Sequence, residues 1–187
     1  MNYVEPIRDK KNIIKIENYL INVNKSYALI FILGINTGLR ISDILSLRVC
    51  DVKNKIDVNI KEKKTGKLKR FPLNIKLQKL LYEYLNEYEN PNDENLLFIG
   101  NRGSQMNRST VYRFINKAVG VLNINVGAVG THTMRKTFGY HHYKMFNDIV
   151  LLQKILNHSS PSITLRYIGI TQEEIDNSYK NFILWAC

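Results

Sequence analysis

The amino-acid sequence predicts an α+β fold that is mainly α-helical, a single helical domain carrying one small antiparallel sheet. Apolar residues recur at helical spacing over most of the chain, strict alternation is confined to residues 47–73, and Thr65-Gly66 separates two alternating runs where a hairpin turns. At 187 residues the chain is long enough for one well-buried core and too short for two generous domains, so residues 1–187 are expected to form one unit.

The elements follow in order. After a charged lead-in over residues 1–10, Ile13, Ile14, Ile16, Leu20 and Ile21 mark a helix from Lys11 to Val23. A second apolar helix is expected from Lys25 towards Asn36, stopped by Gly38, and residues 39–45 read as a short new helix. Alternation makes Leu47 to Val52, Ile56 to Lys64 and Lys67 to Leu73 short strands, the last two forming the hairpin. Helical spacing returns from Asn74 to Tyr88, closed by Asn90-Pro91-Asn92-Asp93, and from about Asn107 to Val119. Beyond a linker at 123–130, helices are expected at Thr131 to Phe146, Asp148 to Leu156, Ser160 to Ile168 and Gln172 to Trp185, with a break at 157–159. Ser159 or Ser160 is a natural N-cap, and Pro161 suits a first helical turn. The last helix carries an apolar stripe of Ile175, Tyr179, Phe182, Ile183 and Trp185.

Composition excludes several classes. With 44% hydrophobic and 23% charged residues and no apolar run near the roughly 20 residues of a membrane span, no membrane partner is expected. The charged N-terminus lacks the apolar stretch of an export signal. Cys50 and Cys187 are isolated and form neither a metal-type pair nor a disulfide framework, which suits a reducing cytoplasm. The 27 Lys and Arg against 16 Asp and Glu give a net charge of +11, the electrostatic footprint of a nucleic-acid binder. Basic charge also suits anionic membrane surfaces or plain solubility, so the motifs must decide.

Arg40, Lys64, His132, Arg135, His158 and Tyr167 lie on separate elements yet are chemically matched to a single reaction. Displacing an oxygen from a phosphodiester needs a nucleophile, cations for the charge spreading over the non-bridging oxygens, and a proton for the departing alkoxide. His132 and Arg135 are three apart in Thr131-His132-Thr133-Met134-Arg135, so one helix face would present both to one phosphate. Arg40 follows Thr37-Gly38-Leu39, a helix end and turn that could fix its guanidinium for bidentate contact. Lys64 adjoins Thr65-Gly66 in the segment 61–70, which holds six basic residues and one acid, Glu62. Such a tip could enter a DNA groove and deliver an ammonium proton to a leaving oxygen. Each residue alone has an ordinary explanation: a solvated arginine, a surface pair of Arg40 with Asp43, a lysine-protected strand edge, a packed tyrosine.

The ordered set resembles the tyrosine recombinase (phage integrase) family. The resemblance rests on Thr37-Gly38-Leu39-Arg40-Ile41-Ser42-Asp43, Lys64-Thr65-Gly66 followed by Phe71-Pro72-Leu73, the His-x-x-Arg box at His132 and Arg135, Leu156-Asn157-His158-Ser159-Ser160, and Thr164-Leu165-Arg166-Tyr167-Ile168. It spans residues 12 to 187 with all six positions in family order. Asn157 stands where the family commonly has Gly, and Met134 where it commonly has Leu.

The resemblance implies that Tyr167 attacks the scissile phosphate to form a 3′-phosphotyrosyl enzyme with release of a 5′-hydroxyl, conserving the bond energy so that neither ATP nor any other cofactor is needed. Arg40, Arg135 and His158 would hold the transition state, Lys64 would protonate the leaving oxygen, His132 would assist proton transfer at Tyr167, and Asp43 would orient the Arg40 region. Cationic neighbours would favour phenolate character in Tyr167 during attack, its ordinary pKa being about 10, and would occupy the role of metal ions, so no metal is expected. Lys61, Lys63, Lys67, Lys69, Arg70, Arg108 and Lys136 are the expected contacts to double-stranded DNA. The family's N-terminal DNA-clamping domain is expected to be absent, which predicts weak, strongly salt-dependent binding. The C-terminal helix at 172–187 would dock onto a neighbouring protomer in a homotetramer on paired sites, the chain being monomeric without DNA, or else fold back on its own core. Two other functions share this pattern: a type IB topoisomerase-like strand-passage enzyme, and a non-catalytic DNA-binding module on the same scaffold.

Overall fold

The computed structural model describes residues 4–87, 92–100, 103–170 and 172–184. Tyr88, the Asn90-Pro91 half of the expected loop, Trp185, Cys187 and the side chain of Ile175 lie outside the described residues.

The lead-in is anchored by the buried Ile7, whose amide donates to the Thr137 hydroxyl at 2.9 Å, and α1 (Lys10–Val23) is capped by Asp9, whose carboxylate accepts from the Lys11 amide at 2.8 Å. Asn24 ends α1 and starts α2 (Lys25–Thr37), its side chain accepting from the amides of Ser26 and Tyr27. Seven consecutive residues of α2, Ala28 to Gly34, are buried, which makes it the central helix, packed on α1, on α5 (Ile75–Asn86) and on α7 (Thr133–Phe146). At Gly34 the approach to α7 is so close that a Cβ would lie 2.8 Å from Met134 Cβ.

The short helix α3 (Ile41–Ile44) follows as expected, but residues 47–52 do not form a strand. They contribute one isolated bridge, Arg48 to Leu96, and then the helical turn α4 (Val49–Val52). The Asp51 carboxylate accepts from the Arg48 amide at 2.8 Å, a local bond that pulls the backbone out of the extended state. It also leaves Val49 and Val52, three apart, both facing the core. The hairpin pairs β1 (Asp57–Lys61) with β2 (Leu68–Pro72) in the register Asp57 to Pro72 through Lys61 to Leu68. Its strands are shorter than alternation suggests, because residues 62–67 close the turn on their own, with the Gly66 amide donating to the Glu62 carbonyl at 2.8 Å.

After α6 (Arg108–Val121) the chain crosses to α7, α8 (Ile149–Leu156) and α9 (Pro161–Ile168). Leu152, Leu156 and Ile168 form a second, smaller core with Phe138, Tyr143 and Tyr167 packed against it. Ser160 caps α9 through the Ile163 amide, and Pro161 sits in its first turn. The last helix is α10 (Gln172–Asn181), and among the described residues of the tail Tyr179, Phe182, Ile183 and Leu184 are exposed. Among the described residues no helix is long and apolar enough to cross a membrane.

Candidate active site

The site forms where the end of α2, the hairpin turn, the start of α7 and the α8–α9 junction meet. Gly38 closes α2 in the left-handed conformation at φ 62°, which sends the chain into Arg40 with extended backbone. Arg135, on the first turn of α7 and only 2% exposed, donates from Nη1 to the Gly38 carbonyl at 2.6 Å and from Nη2 to the Leu156 carbonyl. One guanidinium thereby ties the turn before Arg40 to the end of α8, just ahead of His158. A guanidinium has five N–H donors, so this bridging leaves others for a ligand.

Tyr167 sits on α9 with its ring against the others. The ring centroid lies 4.9 Å from that of His158 and 6.4 Å from that of His132, both edge-on, and Lys136 Nζ lies 5.3 Å from it. The Tyr167 hydroxyl is 3.3 Å from His132 Nδ1 and feels the charge of the Arg135 guanidinium. His132 is the N-cap residue of α7 rather than part of its body, yet the three-residue spacing still sets it beside Arg135. A cavity of about 710 Å³, lined by His132, Tyr112, Ile163, Arg166 and Tyr167 among others, opens beside the Tyr167 ring.

Electrostatics assign resting protonation states. Burial raises the Tyr167 pKa above its ordinary 10.0, and the Arg135 and Arg40 charges only partly offset this, so the resting group is a neutral phenol. Burial and the Arg135, Lys136, Lys64 and Arg40 charges lower His132 below 6.5. Burial, with Arg135 and Arg40, holds His158 at about 4. Both imidazoles are therefore neutral near pH 7. His158 Nδ1 lies 3.1 Å from the fully buried Thr164 hydroxyl.

Lys64 lies on the exposed hairpin turn, where its charge is felt at His132. Asp43 is buried and reaches the hairpin rather than Arg40, its Oδ1 accepting from the Lys63 amide at 3.0 Å. The ionic partner of Arg40 is Glu62, with Arg40 Nη1 and Glu62 Oε1 2.8 Å apart, a charge contact too oblique to count as an aligned hydrogen bond.

The expected DNA contacts divide. Lys61, Lys63, Lys67 and Arg108 are exposed, and Arg70 is exposed but paired with Asp57 at 2.7 Å. Lys69 and Lys136 instead turn inward. Lys69 shares the inner face of β2 with Phe71, donates to the Ile155 carbonyl at 3.0 Å, and is lowered to about 8 by burial and the Arg135 charge. Lys136 is buried under the Tyr167 ring. Sequence reasoning passed over Glu62, Asn157 and Thr164 as parts of the site; the one signal for Glu62 was its being the only acid in the basic segment 61–70.

The phage integrase family matches residues 9–174. The probable integrase/recombinase YoeC of Bacillus subtilis is 43% identical over 183 residues, covering 97% of this chain and 98% of that protein. The tyrosine recombinase XerC of Pelobacter propionicus is 26% identical over 77% of this chain and 47% of its own, so the chain spans about half the length of that relative. The crystal structure of XerH site-specific recombinase bound to palindromic difH substrate superposes with a TM-score of 0.76 at 22% identity, over 96% of this chain and 53% of that one, which shows a shared fold. The chain belongs to the phage integrase family, the tyrosine-type site-specific DNA recombinases.

Proposed function

We infer that this chain cleaves and rejoins duplex DNA through a covalent 3′-phosphotyrosyl link to Tyr167, without metal or cofactor. The observation that carries this reading is the Tyr167 hydroxyl placed 3.3 Å from a neutral imidazole and within the field of the Arg135 guanidinium. A neutral phenol is a weak nucleophile and His132 a ready base, so the proton passes from the hydroxyl to His132 Nδ1 as the oxygen attacks phosphorus. The bond from phosphorus to the 5′-oxygen breaks, and Lys64 supplies that oxygen's proton. Arg40 and Arg135 take the charge on the non-bridging oxygens. His158 is neutral at rest, and because the Thr164 hydroxyl gives its one proton to the Ser160 carbonyl at 3.1 Å, that hydroxyl accepts from His158 Nδ1–H, so Nε2 must take up a proton before it can donate to the phosphate. Attack by a 5′-hydroxyl reverses the sequence on the same or a partner strand.

Double-stranded DNA as partner is supported by the net charge of +11, by the exposed Lys61, Lys63, Lys67 and Arg108, and by the DNA-bound XerH relative. The exposed Tyr179, Phe182, Ile183 and Leu184 support docking of the tail on a second protomer in a tetramer on paired sites. A chain ended after Gln172 is then expected to keep its melting temperature but lose higher assemblies on DNA in sedimentation; loss of folding instead would contradict docking in trans.

The chemistry is tested by incubating the protein with nicked suicide duplexes in EDTA. A denaturant-resistant conjugate is expected from the wild type and none from Tyr167→Phe. Run across pH, the rate should be level from pH 7 upward and fall below 6.5, where His132 takes up its proton and ceases to be a base. A rate unchanged down to pH 4 would remove His132 from that role.

A further inference from the structure

Glu62 is an acid with 1% exposure inside the most basic segment of the chain. Burying a carboxylate is costly unless its oxygens are satisfied, so a buried one marks a place where geometry is specified. Its partners are unusual as a set. Oε1 faces Arg40 Nη1 at 2.8 Å, while Oε2 accepts from the Thr65 hydroxyl at 2.7 Å and from Asn157 Nδ2 at 3.0 Å. Arg40 is itself a phosphate-binding candidate, Thr65 directly follows Lys64, and Asn157 directly precedes His158. One carboxylate thus joins three segments that each deliver one side chain to the reaction.

Asn157 is shaped for this. It ends α8 in the left-handed conformation at φ 53°, a position that usually favours glycine and tolerates asparagine. A glycine there would keep the turn and lose the amide that reaches the hairpin. The same amide's oxygen lies 3.3 Å from Lys67 Nζ, so Asn157 grips the hairpin from both sides of its turn. On the opposite flank, Asp43 holds the Lys63 amide. Without Glu62 and Asn157, the α8 side would hold the hairpin through the Lys69 bond to the Ile155 carbonyl, out on β2, and leave the turn carrying Lys64 tied through Asp43. Burial opposes the charged form of Glu62, but hydrogen bonds from Thr65 and Asn157 and the Arg40 guanidinium outweigh it and hold the group at about 2, so the tie stays ionised at any working pH.

We propose that Glu62 is a positioning residue that locks the Lys64 turn against Arg40 and the His158 junction, so that the proton donor arrives in register with the cations. This rests on the strand-transfer reading above, in which Lys64 protonates the leaving 5′-oxygen. It predicts a chemical signature that a merely structural acid lacks. A 5′-bridging phosphorothiolate releases a thiolate, whose conjugate acid has a pKa of about 8.5, so it departs without a proton. A defect in delivering Lys64 disappears on that substrate, whereas a defect in Arg40 or in folding persists.

The test is single-turnover adduct formation on matched oxygen and sulfur duplexes for the wild type, Lys64→Ala, Arg40→Ala and Glu62→Gln, with melting curves for each. Glu62→Gln should be slowed about 10²-fold on the oxygen substrate, the scale of a misplaced proton donor, and lie within about threefold of wild type on the sulfur substrate. Lys64→Ala should behave alike, and Arg40→Ala should stay slow on both. Equal slowing of Glu62→Gln on both substrates, or no slowing at all, overturns the proposal. A wild type that forms no Tyr167 adduct with either substrate overturns the strand-transfer reading and this one with it. Should Glu62→Gln fail to fold, Thr65→Val carries the question, because it deletes one hydroxyl on an exposed turn. A sulfur-rescued loss supports the proposal, and normal cleavage of the oxygen substrate contradicts it.

Discussion

Replacing Arg135 by lysine is expected to slow adduct formation by about 10²–10³-fold, the range for losing a preorganised charge-stabilising donor. It should also lower the melting temperature. The guanidinium spans two carbonyls, those of Gly38 and Leu156, and its charge is felt at the Tyr167 hydroxyl. A single ammonium cannot span the same atoms, so at least one buried carbonyl loses a charged donor, worth about 1.5–3 kcal/mol. At about 2–4 °C per kcal/mol for a chain of this size, the loss should be visible in a thermal melt. The two effects separate cleanly when rates are taken well below the variant's melting temperature. A variant that melts early but cleaves at the wild-type rate would make Arg135 a brace and remove it from the reaction.

Gly38→Ala should produce the largest loss of stability from a single added methyl group. Gly38 needs φ 62°, which costs a residue with a Cβ about 1–2 kcal/mol, and that Cβ would lie 2.4 Å from Phe138 Cδ1. Overpacking of this kind adds about 1–3 kcal/mol. Against a whole-domain stability of about 5–15 kcal/mol, the variant should still fold at low temperature but melt many degrees earlier. Because Gly38 also supplies the carbonyl that Arg135 grips and stands two residues before Arg40, the folded variant should lose cleavage too. A melting temperature within one or two degrees of wild type would show that the turn relaxes at little cost, and that its shape does not set the Arg40 guanidinium.

Most of the helical framework was legible because its signals are local. Ile16 and Leu20 in α1, the Gly38 stop, and Ser160 with Pro161 before α9 each act within a turn of the chain, and the structure places them as their chemistry requires. Residues 47–52 misled because Leu47 and Val49 alternate while Val49 and Val52 are spaced for a helix, and only the Asp51 bond to the Arg48 amide decides between them. The inward turn of Lys69 was readable in principle, since period two puts it on the face of Phe71, but the basic run around it drew attention to charge instead. Tyr167, His132, Arg135 and His158 were legible as a set because family order is written in sequence, and the structure brings them together. Glu62 was not legible as a partner of Arg40 and Asn157: its contacts lie 22 and 95 residues away, and no local pattern encodes a burial that depends on three segments meeting. The protonation of Tyr167 was hidden for the same reason, since charge could be counted from sequence while burial could not.

The central claim is a phosphorus–oxygen bond to one named tyrosine, and its most direct test is to map that bond. The adduct trapped on a suicide duplex in EDTA is digested with nuclease and trypsin, and the modified peptide is sequenced by fragmentation in a mass spectrometer. Cleavage after Arg166 and Lys180 yields residues 167–180, which contain both Tyr167 and Tyr179, so the fragments must distinguish them. The account predicts a 3′-linked nucleotide on Tyr167 alone. A nucleotide on Tyr179, a 5′-linked nucleotide, or cleaved DNA with no peptide attached would contradict it.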